Sequence, residues 1–116
     1  MDWRARLGSK LVSLEQAVGL VRSGHTISVS PFTATPVTLC EGLKARTRAK
    51  GNLENVRVMH MAALVSWTEP EFRNVFKLID NYATPANRAA CNSGDSEYLP
   101  IASGAATSFQ PACRPR

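Results

Sequence analysis

The spacing of apolar residues in the first half of the chain predicts a helix, a strand and a second helix. The first helix has a capping box of Ser13 and Gln16, and its apolar stripe is spaced i, i+3, i+4 and i+7: Leu14, Ala17, Val18 and Val21. Residues 26–30 alternate with a period of two, which is typical of a strand. The second helix is predicted from Pro36 to about Lys50, with Thr35 as its N-cap.

The second half continues the alternation. A strand is predicted over 56–61, followed by an apolar loop over 62–68 that contains Trp67. A helix is then predicted from about Glu69, with one apolar side composed of Phe72, Val75, Phe76 and Ile79. The remaining predicted elements are a short strand over 81–83, a helix opened by Thr84-Pro85 and ended near Ser93-Gly94, and a strand over 97–101.

Strands that alternate with helices predict an α/β fold with a mainly parallel sheet built from βα units. Ligands of such sheets bind beyond the carboxyl ends of the strands. The loops over 30–35, 62–68 and 83–84 are therefore the expected positions of functional residues.

The net charge of +5 raises the possibility of a nucleic-acid partner. The densest basic run lies between Lys44 and Lys50, at the end of the second predicted helix. Such a run could follow a phosphate backbone, or it could be the solvated last turn of a helix, where cations also suit the helix dipole. No aromatic residue is interleaved with these charges. The solvated-helix interpretation is therefore favoured over a nucleic-acid partner.

Cysteine and histidine positions argue against several kinds of site. Cys40, Cys91 and Cys113 are far apart and form no C-x-x-C pair, which argues against a disulfide framework and a zinc site and fits a reducing cytoplasm. Cys40 and Cys91 lie at predicted helix-core positions, and the isolated His25 and His60 are expected to be structural. We expect no metal, and the lack of a long apolar run predicts no membrane span.

Several ordered segments resemble the acetyl-CoA hydrolase/transferase family, which includes the 4-hydroxybutyrate, butyrate and acetate CoA-transferases. The similar residues are Trp3, Lys10–Val18, Val21–Gly24, Val29–Pro36, Asn55-Val56 with Val58–Met61, Asn87–Gly94 and Glu97–Ile101. The resemblance covers roughly residues 3–101 in one register. Residues 102–116 depart from the family and are expected to be a disordered or non-native tail.

The resemblance implies that residues 1–101 are a partial N-terminal domain of the CoA-transferase fold. It implies an acyl-CoA:carboxylate CoA-transferase or acetyl-CoA hydrolase, with a coenzyme A thioester and a small carboxylate as substrates and no permanently bound cofactor. The family's catalytic glutamate lies in the second half of a longer chain, so no residue here is expected to be catalytic and the fragment is expected to be inactive alone. A homo-oligomer and a cytoplasmic location are also expected.

The family's loop after the first core strand is usually glycine-rich, and its backbone amides face the substrate. The resemblance therefore makes Phe32, Thr33, Ala34 and Thr35 the candidate substrate-binding residues. Ser30, Pro31 and Ala34 occupy positions where the family often has glycine, and Pro31 has no amide donor. Thr35 could contact substrate or cap the following helix.

Two further alternatives stay open. Arg88 and Asn92, four residues apart on one predicted helix, could face an acid group or coenzyme A, or could be a surface pair, which is the favoured interpretation. The chain could also be a non-catalytic interaction fragment that pairs through an open sheet edge.

Overall fold

The computed structural model describes residues 2–100, where four α-helices and four strands follow one another. The helices are α1 (Trp3–Leu7), α2 (Leu14–Gly19), α3 (Val37–Lys50) and α4 (Arg88–Ser93). The strands are β1 (Thr26–Val29), β2 (Val56–His60), β3 (Phe76–Asp80) and β4 (Ser96–Tyr98). Single 3₁₀ turns cover Gly8–Lys10, Phe32–Ala34 and Pro70–Phe72.

The four strands form one parallel sheet in the order β1-β2-β3-β4, which confirms the predicted α/β fold. In the register of this sheet Val29 lies opposite His60, Met59 opposite Ile79, and Asp80 opposite Tyr98. Parallel strands all end at the same edge. The loops that leave β1, β2 and β3 are therefore brought side by side.

The core lies between the sheet and helices α2 and α3. Its fully buried members from the strands include Val56, Val58 and Leu78, and the helices add Val18 and Leu43. Three aromatic rings pack against one another in the core. Phe76 lies edge-to-face against both Trp67 (centroids 5.1 Å apart) and Phe72 (5.3 Å).

The capping box at the start of α2 is confirmed. The Gln16 N–H donates to Ser13 Oγ (3.1 Å), and the Ser13 N–H donates to Gln16 Oε1 (2.9 Å). The helix ends at Gly19. It therefore ends before Val21, so the predicted apolar stripe extends beyond the helix.

The prediction that Thr35 caps the second helix is wrong. Helix α3 begins at Val37 with Pro36 at the N-cap position and no side-chain cap. The Thr35 hydroxyl is instead bonded to the Ser30 carbonyl and to His60. Its hydrogen bonds therefore hold the preceding loop and not the helix.

The helix predicted from Glu69 is also wrong. The segment forms one 3₁₀ turn, Pro70–Phe72, and then strand β3. The i, i+4 pair of Phe72 and Phe76 does make contact, but across the junction of turn and strand. A short apolar run cannot be assigned to helix or strand from its spacing alone. Here residues 76–80 form a strand because they pair with β2.

The boundaries of the elements after β3 also differ from the predicted ones. The short strand predicted over 81–83 is absent, because β3 has already ended at Asp80 and these residues begin a turn. Helix α4 begins at Arg88, four residues after Thr84, and ends at Ser93 before left-handed Gly94, as predicted. The last strand is Ser96–Tyr98, shorter than the predicted 97–101; Ile101 and the predicted tail over 102–116 lie outside the described residues.

Candidate functional site

Three loops meet at the carboxyl edge of the sheet. We call them the first loop (31–35, after β1), the second loop (61–69, after β2) and the third loop (81–87, after β3). Each of them contains or adjoins a segment in which function was expected from the sequence. Two hydrogen-bonded clusters, centred on Asp80 and on His60, join the loops to one another.

The Asp80 carboxylate joins the second and third loops. Oδ1 accepts from the backbone N–H groups of Ala62 (3.1 Å) and Tyr82 (2.9 Å), and Oδ2 accepts from the Ala63 N–H (3.4 Å). The Asn87 side-chain amide also donates to Oδ2. Asp80 is fully buried, and within residues 2–100 no lysine or arginine pairs with it. Amide donors therefore replace the water that an exposed carboxylate would have.

Thr84 and Asn87 complete this cluster within the third loop. The Thr84 hydroxyl lies 3.2 Å from the Ala63 carbonyl oxygen and 3.1 Å from Asn87 Oδ1, and the Asn87 amide also donates to the Tyr82 carbonyl (3.3 Å). The third loop is thus bonded both to itself and to the second loop. These hydrogen bonds restrain the conformation of the third loop without a ligand.

His60 joins the first and second loops. The Trp67 indole N–H donates to His60 Nδ1 (3.2 Å), and His60 Nε2 lies 3.4 Å from Thr35 Oγ1. Thr35 Oγ1 in turn donates to the Ser30 carbonyl (3.0 Å). The contacts of His60 beside the strand-end loops are therefore structural, as expected from the sequence, and Trp67 shares them.

Burial decides the protonation of His60. The side chain is fully enclosed, and this desolvation lowers the pKa of the imidazole below its usual value of 6.5. The negative charge of Asp80 opposes the shift without cancelling it. His60 is therefore neutral near pH 7, which is the form that can accept from the Trp67 indole.

A depression of about 220 Å³ opens beside the first loop. Its walls come from the ends of β1 and β2 and the start of the third loop, and its lining includes Ser30, Pro31, Met59, Met61 and Asn81. The Asn81 amide is held by the Leu99 carbonyl (2.7 Å). The depression therefore combines thioether and hydroxyl groups.

A larger cavity, of about 570 Å³, lies at the opposite edge of the sheet. It is lined by charged residues near the amino ends of β2 and β3, among them Glu54, Arg73 and Lys77. Parallel sheets bind ligands at the carboxyl edge, so its size alone does not make this cavity the candidate site.

The predicted substrate-binding residues occupy the first loop together. Phe32, Thr33 and Ala34 are exposed and form the 3₁₀ turn, whereas Thr35 is half-buried. Phe32 has φ of 51°, a left-handed conformation that is uncommon for an aromatic residue. The N–H groups of Phe32 and Thr33 donate to no backbone acceptor within residues 2–100, and Pro31 supplies no side-chain cap. Two amide donors are thus available at the carboxyl edge.

The remaining residues considered from the sequence are not part of the first loop. Arg88 and Asn92 are both exposed on α4. Cys40 is buried, which raises the pKa of its thiol, and Cys91 is half-buried; Cys113 lies outside the described residues. Residues 2–100 contain no group of three or more His, Cys, Asp or Glu side chains that could hold a metal ion. No helix in the same range combines the length and apolar character that a membrane span requires.

The basic end of α3 is solvated in its last turn, as the favoured interpretation expects, since Arg48 and Lys50 are about half exposed (49% and 57%), but the preceding turn is not. Lys44 is buried and pairs with Glu69 (2.5 Å) and Glu41 (3.3 Å), and the Arg46 guanidinium donates to the Val18 (2.5 Å) and Val21 (2.9 Å) carbonyls. The two cations that follow are also in ion pairs: Arg48 with Glu71 at 2.5 Å, and Lys50 with Glu15 at 3.8 Å. These charges fasten α3 to its neighbours, which leaves few of them free for phosphate groups.

Asp80 and Asn87 were missed as members of the site. Asp80 falls at the end of an apolar run that was assigned to a helix, so its place at a strand end was not recognised. The available signal was the sequence Phe76–Ile79 followed by an acid, an amide and Thr84-Pro85, which is typical of a buried strand entering a polar turn.

Comparison with known proteins gives structural neighbours only. No family model and no curated protein matches the chain. The crystal structure of RipA from Yersinia pestis matches 91% of the chain with a TM-score of 0.75 and 26% sequence identity. Two single-residue variants of RipA match 94% of it, with TM-scores of 0.78 and 0.76 and identities of 25% and 26%. The chain spans about a quarter (27%) of each of these RipA chains.

Proposed function

We propose that this chain is the N-terminal part of an acyl-CoA:carboxylate CoA-transferase or an acetyl-CoA hydrolase. The proposal is supported by the family resemblance over 3–101 together with the fold match to RipA, which extends over 91–94% of the chain. In this proposal residues 1–101 are a partial N-terminal domain. The chain supplies one wall of an acyl-thioester pocket at the carboxyl edge.

The first loop would contact the substrate. The free N–H groups of Phe32 and Thr33 can donate to the carbonyl oxygen of a thioester or to the oxygen of a carboxylate, where negative charge develops during acyl transfer. The adjoining depression of about 220 Å³ has room for a small acyl group. Phe32, Thr33, Ala34 and Thr35 are therefore the proposed substrate-binding residues.

The nucleophile would come from outside this chain. All six glutamates fall within residues 2–100, and five of them are in ion pairs on the helices, turns or outer strand: Glu15, Glu41, Glu69, Glu71 and Glu97. The sixth, Glu54, lines the cavity at the amino edge. A carboxylate nucleophile must be positioned within about 3.5 Å of the carbonyl carbon it attacks. We therefore assign no catalytic residue to this chain.

Further parts of the proposal follow the resemblance. Coenzyme A thioester and a small carboxylate are the proposed substrates, with no permanently bound cofactor. A homo-oligomer and a cytoplasmic location stay predictions. Strands β1 and β4 each pair on one side only within residues 2–100, so an interaction through a sheet edge is the alternative function that has an observation in its favour.

An activity assay tests whether the nucleophile lies outside this chain. The purified 116-residue chain should neither hydrolyse acetyl-CoA nor exchange coenzyme A between acetyl-CoA and a carboxylate. Robust turnover would place the nucleophile within the chain and contradict the proposal. A parallel size-exclusion measurement tests the alternative, since pairing through β1 or β4 predicts a dimer whose population rises with protein concentration.

A further inference from the structure

The first loop is closed by a side chain from its own end. Thr35 Oγ1 reaches back five residues to the Ser30 carbonyl at 3.0 Å, so the two residues that bracket the exposed turn are joined. A carbonyl oxygen can only accept, and a hydroxyl has one proton to donate. The Thr35 proton is therefore used on Ser30, and Thr35 Oγ1 can only accept from any second partner.

This requirement fixes which nitrogen of His60 carries the proton. His60 Nε2 lies 3.4 Å from Thr35 Oγ1 and must donate to it, while Nδ1 must accept, because the Trp67 indole N–H 3.2 Å away can only donate. The neutral Nε2–H tautomer is the one form that satisfies both contacts. The hydrogen bonds thus run in one direction, from Trp67 through His60 and Thr35 to Ser30.

Burial favours the same neutral form and outweighs the charge of Asp80, which favours the imidazolium. The carboxylate of Asp80, at the end of the neighbouring strand β3, acts on His60 through its charge, and its own oxygens are occupied by backbone and amide donors. On the α3 side, the Cys40 thiol and Trp67 line one apolar groove, and burial raises the pKa of that thiol. A second proton on His60 would sit on Nδ1, facing the Trp67 N–H with two donors opposed.

We propose that His60 is a positioning residue for the first loop and acts through Thr35 as the neutral Nε2–H tautomer. The proposal rests on the proposed function in assigning substrate contact to that loop. His60 touches no substrate in this account. It sets the conformation of the turn Phe32–Ala34 by holding the hydroxyl that closes the turn, and protonation of His60 releases this restraint.

Nuclear magnetic resonance of the full chain tests the proposal without any ligand. The ¹⁵N shifts of the imidazole nitrogens distinguish the two tautomers and the imidazolium, and His25, which is exposed, provides a second imidazole in the same spectrum. His60 should be the Nε2–H tautomer at pH 7.5 and still mainly neutral at pH 6.5, where a free imidazole is half-protonated. An Nδ1–H tautomer would overturn the proposal.

Matched variants test whether the loop depends on this chain of contacts. Thr35→Val keeps the shape but removes the hydroxyl, and should give its largest amide shifts at Phe32–Ala34; Thr35→Ser keeps the hydroxyl and should leave those amides near their original positions. His60→Gln, whose amide can still donate, should resemble Thr35→Ser, and His60→Leu should resemble Thr35→Val. Unchanged loop amides in folded Thr35→Val and His60→Leu would overturn the positioning role.

A further variant, followed by its amide and imidazole shifts, separates a positioning role of His60 from a general effect on stability. Trp67→Phe removes the donor to Nδ1 and frees that nitrogen for a proton, so His60 should become protonated at a higher pH than in the original chain. The amides of the first loop should then shift at that same higher pH. Loop shifts that do not follow His60 titration would overturn the proposal, whereas failure to bind acetyl-CoA alone would count against the proposed function only.

Discussion

Asp80 Oδ1 lies 3.1 Å from the backbone nitrogen of Ala62, so the carboxylate that ends β3 fixes the loop that leaves β2. The relationship matters because Ala62 has φ of 51°, a left-handed conformation that alanine seldom adopts. The buried Asp80 carboxylate accepts from the Ala62 N–H group and so holds Ala62 in this conformation. The second loop is thus held by the sheet rather than by its own sequence.

Replacing Asp80 tests this restraint. Asp80→Asn keeps the size but places an NH₂ group among donors, so at least one buried N–H loses its acceptor. We expect the free energy of unfolding to fall by about 3 kcal/mol in urea denaturation. Asp95→Asn, which alters a partly exposed acid paired with Arg73 at 3.6 Å, should change it by less than about 1 kcal/mol. Equal effects of the two substitutions would contradict the account.

The left-handed residue in the first loop leads to a second prediction. Phe32 is 56% exposed, so its ring contributes little to the core, while its φ of 51° strains any residue with a Cβ atom. Phe32→Gly should therefore be more stable than Phe32→Ala by about 1 kcal/mol, since alanine keeps the strain and glycine removes it. Thermal unfolding of the two variants measures the difference. An alanine variant equal to or more stable than the glycine variant would show that the loop is unstrained.

The basic end of α3 leads to a prediction that separates packing from nucleic-acid binding. Arg46→Gln removes the guanidinium that donates to the Val18 and Val21 carbonyls and should lower the free energy of unfolding by about 2 kcal/mol. Gel shifts at low salt should show no specific complex with either the original chain or the variant. A complex whose salt dependence weakens in Arg46→Gln and in Arg48→Gln would instead support the nucleic-acid interpretation.

The histidine cluster predicts how stability depends on pH. Because the pKa of His60 is lowered in the folded chain, the unfolded chain takes up the extra proton as pH falls below 6.5. Stability from this group is complete above pH 6.5 and is lost below it, by up to about 1.4 kcal/mol per pH unit. His60→Gln should remove this component from the profile between pH 7.5 and 5, and His25→Gln should retain it. A profile unchanged by His60→Gln would contradict the assignment.

The sequence was sufficient to predict the fold because each βα unit carries local signals. The capping box of Ser13 and Gln16, the end of α3 at Lys50 and the alternation in β1 all depend on neighbouring residues, and all are present in the structure. Strand β3 was mistaken for a helix because its identity depends on pairing with β2, which no local spacing encodes.

The candidate site was predictable only in part, for the same reason. Placing the first loop at the carboxyl edge required no more than the order of the strands. The roles of Thr35 and Asp80 depend on partners that are 25 and 18 residues distant, His60 and Ala62. A threonine before a proline looks like a helix cap until a histidine from the next strand is placed against it.

Chemical-shift mapping with acetyl-CoA tests the central claim, that the carboxyl edge of this sheet is one wall of an acyl-thioester pocket. Titrating the ¹⁵N-labelled chain should shift the amides of Phe32, Thr33 and Thr35 and those of Ala62 and Ala63. Coenzyme A without the acyl group should produce smaller shifts in the first loop. Shifts confined to the Lys44–Lys50 helix end or to the amino-edge cavity around Arg73, or no shifts at all, would contradict the account.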